Sequence, residues 1–161
     1  MKKIVLILCL LAGVVSAHAQ FEKGKWLVNP SATGLGLSYD TQTDKATFGL
    51  DVNGGAFVAD NLALLIRGGL AWNENGGDAD VYSLGVGTRY YFSKVGVFVG
   101  ANVNVDRWDW GEYDDTKFSL GLEAGYAFFL SKTVTLEPAA YWNVNGDRSK
   151  FGLKLGFGLY F

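Results

Sequence analysis

Large apolar residues alternate with small or polar residues, without interruption, over the last twelve residues of the chain, 150–161. Because strand side chains repeat every two residues, one face of this segment is entirely apolar, while the other carries glycine, lysine and tyrosine. The apolar face consists of Phe151, Leu153, Leu155, Phe157, Leu159 and Phe161. The pattern predicts a β-strand that places one face in hydrocarbon.

Seven further segments show the same alternation, so that eight strands are predicted. They cover residues 26–39, 46–59, 62–73, 81–92, 95–106, 117–130, 134–145 and 150–161. The breaks between them alternate between short ones, at 60–61, 93–94 and 131–133, and longer polar ones. This arrangement predicts an all-β fold, an eight-stranded antiparallel up-and-down transmembrane β-barrel with its tight turns on the periplasmic side.

The orientation of the apolar residues separates a membrane barrel from a soluble one. In segment 95–106, valine or alanine occupies every second position, opposite residues such as Gly96, Gly100 and Asn102. A soluble sandwich would need a second sheet to cover such faces, whereas closure in lipid satisfies every backbone group. Aromatic residues on the apolar faces fall near both strand ends, which is typical of interfacial girdles.

The amino-terminal segment has the features of a cleaved signal peptide. Lys2 and Lys3 precede an apolar run, 4–15, that is too short to span a bilayer as a helix, and the small-residue site Ala17-His18-Ala19 follows. We therefore expect residues 1–19 to be removed and residues 20–161 to form one barrel domain. Cys9 does not indicate a lipoprotein, because Leu8 before it is too large for a lipobox.

The 142 residues that would remain contain neither cysteine nor histidine, and carry 12 basic and 16 acidic side chains. Disulfides are therefore excluded, and this charge balance gives no indication of nucleic-acid binding. Without histidine, the commonest general base and the best transition-metal ligand are missing, so the sequence predicts no enzyme, no cofactor and no metal site. Acidic loop residues such as Asp114 and Asp115 are expected to be solvated; weak calcium binding, or bridging to lipopolysaccharide phosphates, is the alternative.

The inward positions decide whether such a barrel conducts, because its interior is just wide enough for side chains or one small ligand. Bulky inward residues near the tight turns predict a plug formed by Phe57, Tyr91, Phe98, Phe129 and Tyr160. The inward charges balance and predict a salt-bridge network, since unpaired buried charges are costly. Its predicted lower layer is Arg67, Arg89 and Glu137, and its middle layer is Asp51, Glu123 and Lys154. The alternative is a gated proton or ion path through these charges, below a wet, asparagine-lined vestibule.

The last strand also carries a motif. Lys154, Gly156, Leu159 and Phe161 fit a polar-x-Gly-x-x-hydrophobic-x-aromatic pattern at the carboxyl terminus. With this motif, the mature chain resembles the small eight-stranded outer-membrane proteins of the OmpA, OmpX and OmpW type. The resemblance implies a bacterial outer-membrane location, contact with outer-membrane lipid and lipopolysaccharide, and insertion by the barrel-assembly machinery, which reads this signal.

Two functions are consistent with this resemblance. A sealed barrel would have a structural or surface-interaction role through its extracellular loops, especially the loop predicted at 106–116 with Trp108, Trp110 and Tyr113. Trp108 and Trp110 would serve equally well as interfacial anchors. The alternative, which the OmpW likeness implies, is a narrow passive channel or side exit for small or apolar solutes.

Two features depart from the expected pattern. Pro138 lies within the seventh predicted strand, where a lost ladder bond predicts a bulge. The first strand is polar around residues 29–31, in a half of the strand that should lie in the membrane. These are the positions at which the strand assignment is tested most severely.

Overall fold

The computed structural model describes residues 21–33, 39–40, 47–73, 80–109, 114–146 and 148–161. Its strands are β1 (Trp26–Thr33), β2 (Thr47–Ala59), β3 (Leu62–Asn73), β4 (Asp80–Phe92), β5 (Val97–Asp109), β6 (Asp114–Tyr126), β7 (Val134–Asn145) and β8 (Arg148–Tyr160). The two-residue segments Tyr39–Asp40 and Phe128–Phe129 pair with β8 and β7. The predicted signal peptide, Trp110 and Tyr113 lie outside the described residues. Within those residues, no helix has the length and hydrophobicity needed to cross a membrane.

Each strand pairs in antiparallel fashion with its neighbour in sequence, and β1 pairs with β8. Across this closing seam, Leu27 lies opposite Tyr160 and Thr33 lies opposite Lys154. Closure gives every strand two neighbours and leaves no open edge, which is the condition for a sheet to lie in lipid. The predicted eight-stranded, antiparallel, up-and-down barrel is confirmed.

The main correction to the predicted boundaries concerns the loop at 106–116. Strand β5 continues to Asp109 and β6 begins at Asp114, with Trp108 opposite Asp115. In β5, Arg107 and Asp109 stand where the apolar alternation would continue, and residues 114–116 of β6 are all polar, so the alternation that marks a strand in lipid ends before the strand does. Backbone pairing continues there because hydrogen bonding between strands requires no apolar face.

Pro138 does not produce the predicted bulge. It lies opposite Leu155 of β8 in continuous register, and on its other side the ladder between β6 and β7 is interrupted but resumes in the same register. Proline lacks an N–H group, so the ladder loses a hydrogen bond without gaining a residue. A register shift does occur between Phe57 and Ala59, beside the tight turn into β3.

The side chains divide into a buried inner set and an exposed outer set. Strand β1 accommodates its polar residues inside the barrel, where Asn29 and Ser31 are buried, while Trp26, Val28 and Pro30 point outward. Exposed apolar residues cover the outer face: Leu50, Val52, Leu64, Ile66, Leu84, Val86, Val103, Leu120, Leu122 and Leu153. A continuous apolar belt of this kind fits a hydrocarbon environment.

Exposed aromatic residues lie at both ends of this belt. Phe48, Tyr82, Trp142 and Phe151 lie towards the longer loops, and Trp26, Tyr90, Phe92 and Phe161 lie towards the tight turns. Amphipathic rings are favoured at the two membrane–water interfaces. The belt and its two aromatic borders define how the barrel would sit in a bilayer.

Candidate functional site in the barrel lumen

Aromatic rings fill the lower end of the lumen, next to the tight turns. Phe57, Tyr91, Phe98 and Tyr160 are buried there, and Phe129 is half-buried against them. The ring centroid of Tyr91 lies 5.4 Å from that of Phe98 and 5.7 Å from that of Phe57. The structure thus brings all five residues of the predicted plug together. These five residues and Phe21 are called the aromatic cluster below.

Phe21 lies at the centre of the aromatic cluster, although the sequence pattern did not predict it as a plug residue. Its side chain is 1% exposed, and its ring stacks on Tyr91 with 4.2 Å between centroids. The centroids of Phe129 and Tyr160 are both 5.6 Å from it, and that of Phe57 is 5.9 Å away. Phe21 therefore closes the barrel from below.

Backbone contacts hold the segment 21–25 beneath the barrel. The Asn61 N–H donates to the Phe21 carbonyl at 2.6 Å, and the Gly24 N–H donates to the Phe57 carbonyl at 2.8 Å. The Lys23 N–H donates to the Asp60 carboxylate at 2.9 Å. Gly24 has a φ of 91°, which glycine adopts without strain and which lets the segment fold back towards β1.

Phe21 escaped prediction because it precedes the first strand, and strand periodicity assigns a face only to strand residues. The available signal was an isolated aromatic residue directly before a polar run, 22–25, with no strand to place it on a surface.

Four charged side chains form a connected row across the lumen, in contact with the rings. Lys154 pairs with one oxygen of the Glu123 carboxylate, and Arg89 pairs with the other at 2.7 Å. Arg89 also pairs with Glu137 at 2.8 Å. All four residues are buried, and two positive charges balance two negative ones. We call Arg89, Glu123, Glu137 and Lys154 the charge cluster.

Glu137 accepts four hydrogen bonds. Its Oε2 atom accepts from Arg89 at 2.8 Å and from the Asn29 amide at 3.0 Å. Its Oε1 atom accepts from the hydroxyls of Thr135 at 2.7 Å and Tyr160 at 2.6 Å. Burying a carboxylate is unfavourable unless its oxygens are paired and hydrogen-bonded, and here both oxygens are.

Arg89 joins the charge cluster to the aromatic cluster. Its guanidinium carbon lies 4.4 Å from the centroid of the Phe98 ring, and one guanidinium nitrogen donates to the Tyr91 hydroxyl at 3.0 Å. A cation over an aromatic face is attracted by the ring quadrupole, and more strongly when it is desolvated. The two clusters are therefore one continuous obstruction of the lumen.

The ion pairs do not stay within the two predicted layers. Arg89 binds Glu137 within the predicted lower layer, but it also binds Glu123 of the predicted middle layer. The five N–H donors of one guanidinium allow it to bridge both carboxylates. Arg67 and Asp51 are only half-buried, and neither joins an ion pair in the described part of the chain.

Inward glycines on neighbouring strands make room for these large side chains. A Cβ atom on Gly100 would lie 2.8 Å from Cγ of Glu123, and one on Gly158 would lie 2.5 Å from Oε1 of Glu137. Both distances are far below van der Waals contact. The glycines of the inner face are thus part of the construction of the charge cluster.

Neutral polar groups line the lumen further from the tight turns. The Asn104 amide donates to Asn102 at 2.8 Å and to the Ser119 hydroxyl at 3.3 Å, and all three residues are buried. Below them, the Asn53 amide nitrogen donates to Asn29 at 3.2 Å. Within the described residues, no group of histidine, cysteine, aspartate and glutamate side chains is arranged to hold a metal ion.

The predicted assembly-signal residues lie on both faces of the closing strand. Lys154 and Gly156 are buried, Leu159 is half-buried, and Phe161 is exposed just beyond the strand end. Phe161 exchanges two backbone hydrogen bonds with Trp26, of 3.1 Å and 3.0 Å. In the folded barrel, these residues form the seam with β1.

Comparison with known proteins places this architecture among bacterial membrane barrels. No protein-family model matches the chain, and no curated protein matches it significantly. Solved structures do match. Neisserial surface protein A has a TM-score of 0.67 and 18% identity, covering 84% of this chain and 96% of that one.

Two further solved structures have the same fold as this chain. The N-terminal β-barrel domain of Pseudomonas aeruginosa OprF has a TM-score of 0.61 and 11% identity, covering 86% of this chain and 98% of that one. Ail, the attachment invasion locus protein of Yersinia pestis, has a TM-score of 0.55 and 16% identity, covering 87% and 99%. At these identities the likeness shows the fold. The chain therefore has the transmembrane fold of the small eight-stranded outer-membrane barrels, as the sequence predicted.

Proposed function

We propose that this protein is an integral outer-membrane barrel with a sealed lumen, whose role is structural or is exerted through its extracellular surface. The observation that supports the proposal is the double obstruction of the lumen. The aromatic cluster around Phe21 closes the lower end, and the charge cluster lies against it with all four side chains buried.

The energetic barrier to passage follows from these contacts. A solute would have to displace Phe21 from the rings around it and separate Arg89 from two carboxylates. Breaking a buried ion pair costs about 3–5 kcal/mol, because the remaining charge stays buried without a partner. The resting barrel is therefore expected not to conduct.

The outer surface is the part of the protein left to carry a function. Rigid scaffolds commonly present functional loops, and the names of two structural neighbours refer to the surface and to attachment. We infer that Trp108, Trp110 and Tyr113 meet lipopolysaccharide or an extracellular partner. We further infer that the role is not catalytic, since the chain has no histidine after His18.

Single-channel recording in planar bilayers tests the sealed lumen. The wild-type protein is expected to give no current, whereas the double variant Phe21→Ala, Phe98→Ala is expected to conduct. Phe118→Ala is the matched control, because Phe118 is 73% exposed on the outer face. Steady wild-type conductance would contradict the proposal and favour a channel.

A test of the surface role uses the variant Trp110→Ser, Tyr113→Ser. Lipopolysaccharide retained by the purified barrel, measured by native mass spectrometry, is expected to fall relative to wild type while the far-ultraviolet β-sheet signal is unchanged. Equal retention by both proteins would show that Trp110 and Tyr113 do not contribute to lipopolysaccharide binding.

A narrow passive channel is the second candidate. It is favoured by the neutral amide lining around Asn102 and Asn104 and by the half-buried charges Asp51 and Arg67. If the wild type conducts, Arg67→Gln is expected to shift its ion selectivity towards cations. A selectivity that does not change would remove Arg67 from the path.

A further inference from the structure

The hydrogen-bond ladders of the barrel wall differ in continuity around β7 and β8, which together form the C-terminal hairpin, 134–160. The two strands of this hairpin pair with each other without a gap from Arg148 to Leu159. Both ladders that join the hairpin to the rest of the wall are interrupted. The ladders between successive strands from β1 to β6 have no such gap. Their one irregularity is the register shift between Phe57 and Ala59, beside the first tight turn.

The seam between β1 and β8 is interrupted at Pro30. Pairing is present at Val28 and resumes at Ser31. Trp26 and Phe161 exchange two backbone hydrogen bonds, and such pairs recur at every second residue of an antiparallel ladder. Pro30 therefore occupies a hydrogen-bonding position of this seam, where its missing N–H leaves one bond unmade.

The seam between β6 and β7 is interrupted at the other proline. The Leu130 N–H donates to the Val134 carbonyl, so the hydrogen-bonding positions of this ladder are the even-numbered residues that follow Val134 along β7. Pro138 is one of them, opposite Tyr126, where the ladder has its gap. The chain has two prolines, and each interrupts one outer seam of the same hairpin.

The charge cluster connects this hairpin to strands outside it. The hairpin contributes Glu137 from β7 and Lys154 from β8, while Arg89 of β4 and Glu123 of β6 are their partners. Glu137 and Lys154 do not pair with each other. Both residues therefore form ion pairs with strands outside the hairpin.

We propose that the C-terminal hairpin is a separately opening unit of the barrel, joined to its neighbours by proline-interrupted seams and latched across the lumen by Glu137 and Lys154. Local opening releases the hairpin and leaves the pairing among β1 to β6 intact, since cooperative units separate where contacts are weakest. The charge cluster then serves to keep the barrel closed, and this role holds whether or not the lumen conducts.

Hydrogen exchange measured by mass spectrometry, on the refolded protein in phospholipid nanodiscs, tests this proposal. In Glu137→Gln, amides within 134–160 are expected to exchange at least about tenfold faster than in wild type, with little change in β3 to β5. Arg67→Gln is the matched control, an inward charge outside the charge cluster. Unchanged exchange in Glu137→Gln, or an equal increase in every strand, would overturn the proposal.

The prolines give an independent test that does not weaken the fold. Pro30→Val and Pro138→Val restore the missing N–H at outward positions where a β-branched residue suits a strand. Each single variant is expected to slow exchange of the hairpin amides by about fivefold, the effect of roughly one net hydrogen bond, and the double variant by about 25-fold. Exchange as fast as wild type, or faster, would show that the prolines do not weaken these seams.

Discussion

The lower and upper halves of the lumen are built from different groups. Near the tight turns, aromatic rings pack against side chains that form ion pairs, and Glu137 alone accepts four hydrogen bonds. Further up, among the residues that the structure describes, neutral side chains such as Asn104 and Ser119 form hydrogen bonds with one another. The comparison indicates that the obstruction of the lumen and most of the stability from inward side chains reside in the same half.

The largest effect is expected from Glu137→Ala. The substitution leaves Arg89 buried without one of its two carboxylates and removes the acceptor of Tyr160, so we expect about 3–5 kcal/mol less stability. Equilibrium urea unfolding in detergent micelles measures it, with the exposed residue Glu22 changed to alanine as the control. A loss below about 1 kcal/mol would mean that the charges of the lower half contribute no more than surface pairs.

Removing the central ring should have the next largest effect. Phe21→Ala empties the middle of the aromatic cluster and is expected to cost about 3 kcal/mol, the lower end for a buried phenylalanine. The same unfolding assay measures it, and Phe118→Ala on the outer face is the matched control. If both variants lose equally little, the segment 21–25 does not close the barrel.

A methyl group added on the inner face tests how tightly the lower half is packed. In Gly100→Ala, the new Cβ would meet Glu123 and the Thr88 carbonyl, and we expect a loss of about 2 kcal/mol from overpacking. Gly54→Ala is its control, because a Cβ there meets nothing within 4 Å. Equal melting temperatures of the two variants would contradict a tightly packed charge cluster.

The smallest effect is expected in the upper half. Asn104→Ala removes two hydrogen bonds between neutral groups and is expected to cost about 1 kcal/mol. Urea unfolding of Asn104→Ala and Phe21→Ala in the same micelles compares the contributions of the two halves directly. A loss as large as that of Phe21→Ala would show that the two halves contribute alike.

Most of the fold could be predicted from the sequence, because lipid requires an unbroken apolar face along every strand. Residues 62–73 and 134–145 were predicted with the boundaries that the structure has. The extension of β5 to Asp109 could not be predicted in this way, because outside lipid no apolar face is required. The continuous register at Pro138 was also unpredictable, since a lost hydrogen bond does not by itself dictate an extra residue.

The sequence predicted which residues point into the lumen, but it predicted less well which of them contact one another. Alternation identifies Arg89 and Glu123 as inward, but their pairing depends on how far a side chain reaches across to a strand that is not its neighbour. The half-buried Arg67 is a second example. The predicted inward charges balance in number, but this balance does not specify which of them pair. Phe21 lay outside every strand, where periodicity carries no information.

The balanced row of Arg89, Glu123, Glu137 and Lys154 has a consequence for the history of the sequence. A lineage that loses one of these charges keeps an uncompensated partner inside the barrel until a second substitution arrives. Related sequences should therefore change these positions together, as covarying sets on strands that are not adjacent. Positions on the lipid-facing belt should instead change one at a time among apolar residues. Substitutions inside the barrel are then expected to be coupled, and substitutions on its outer face to be independent.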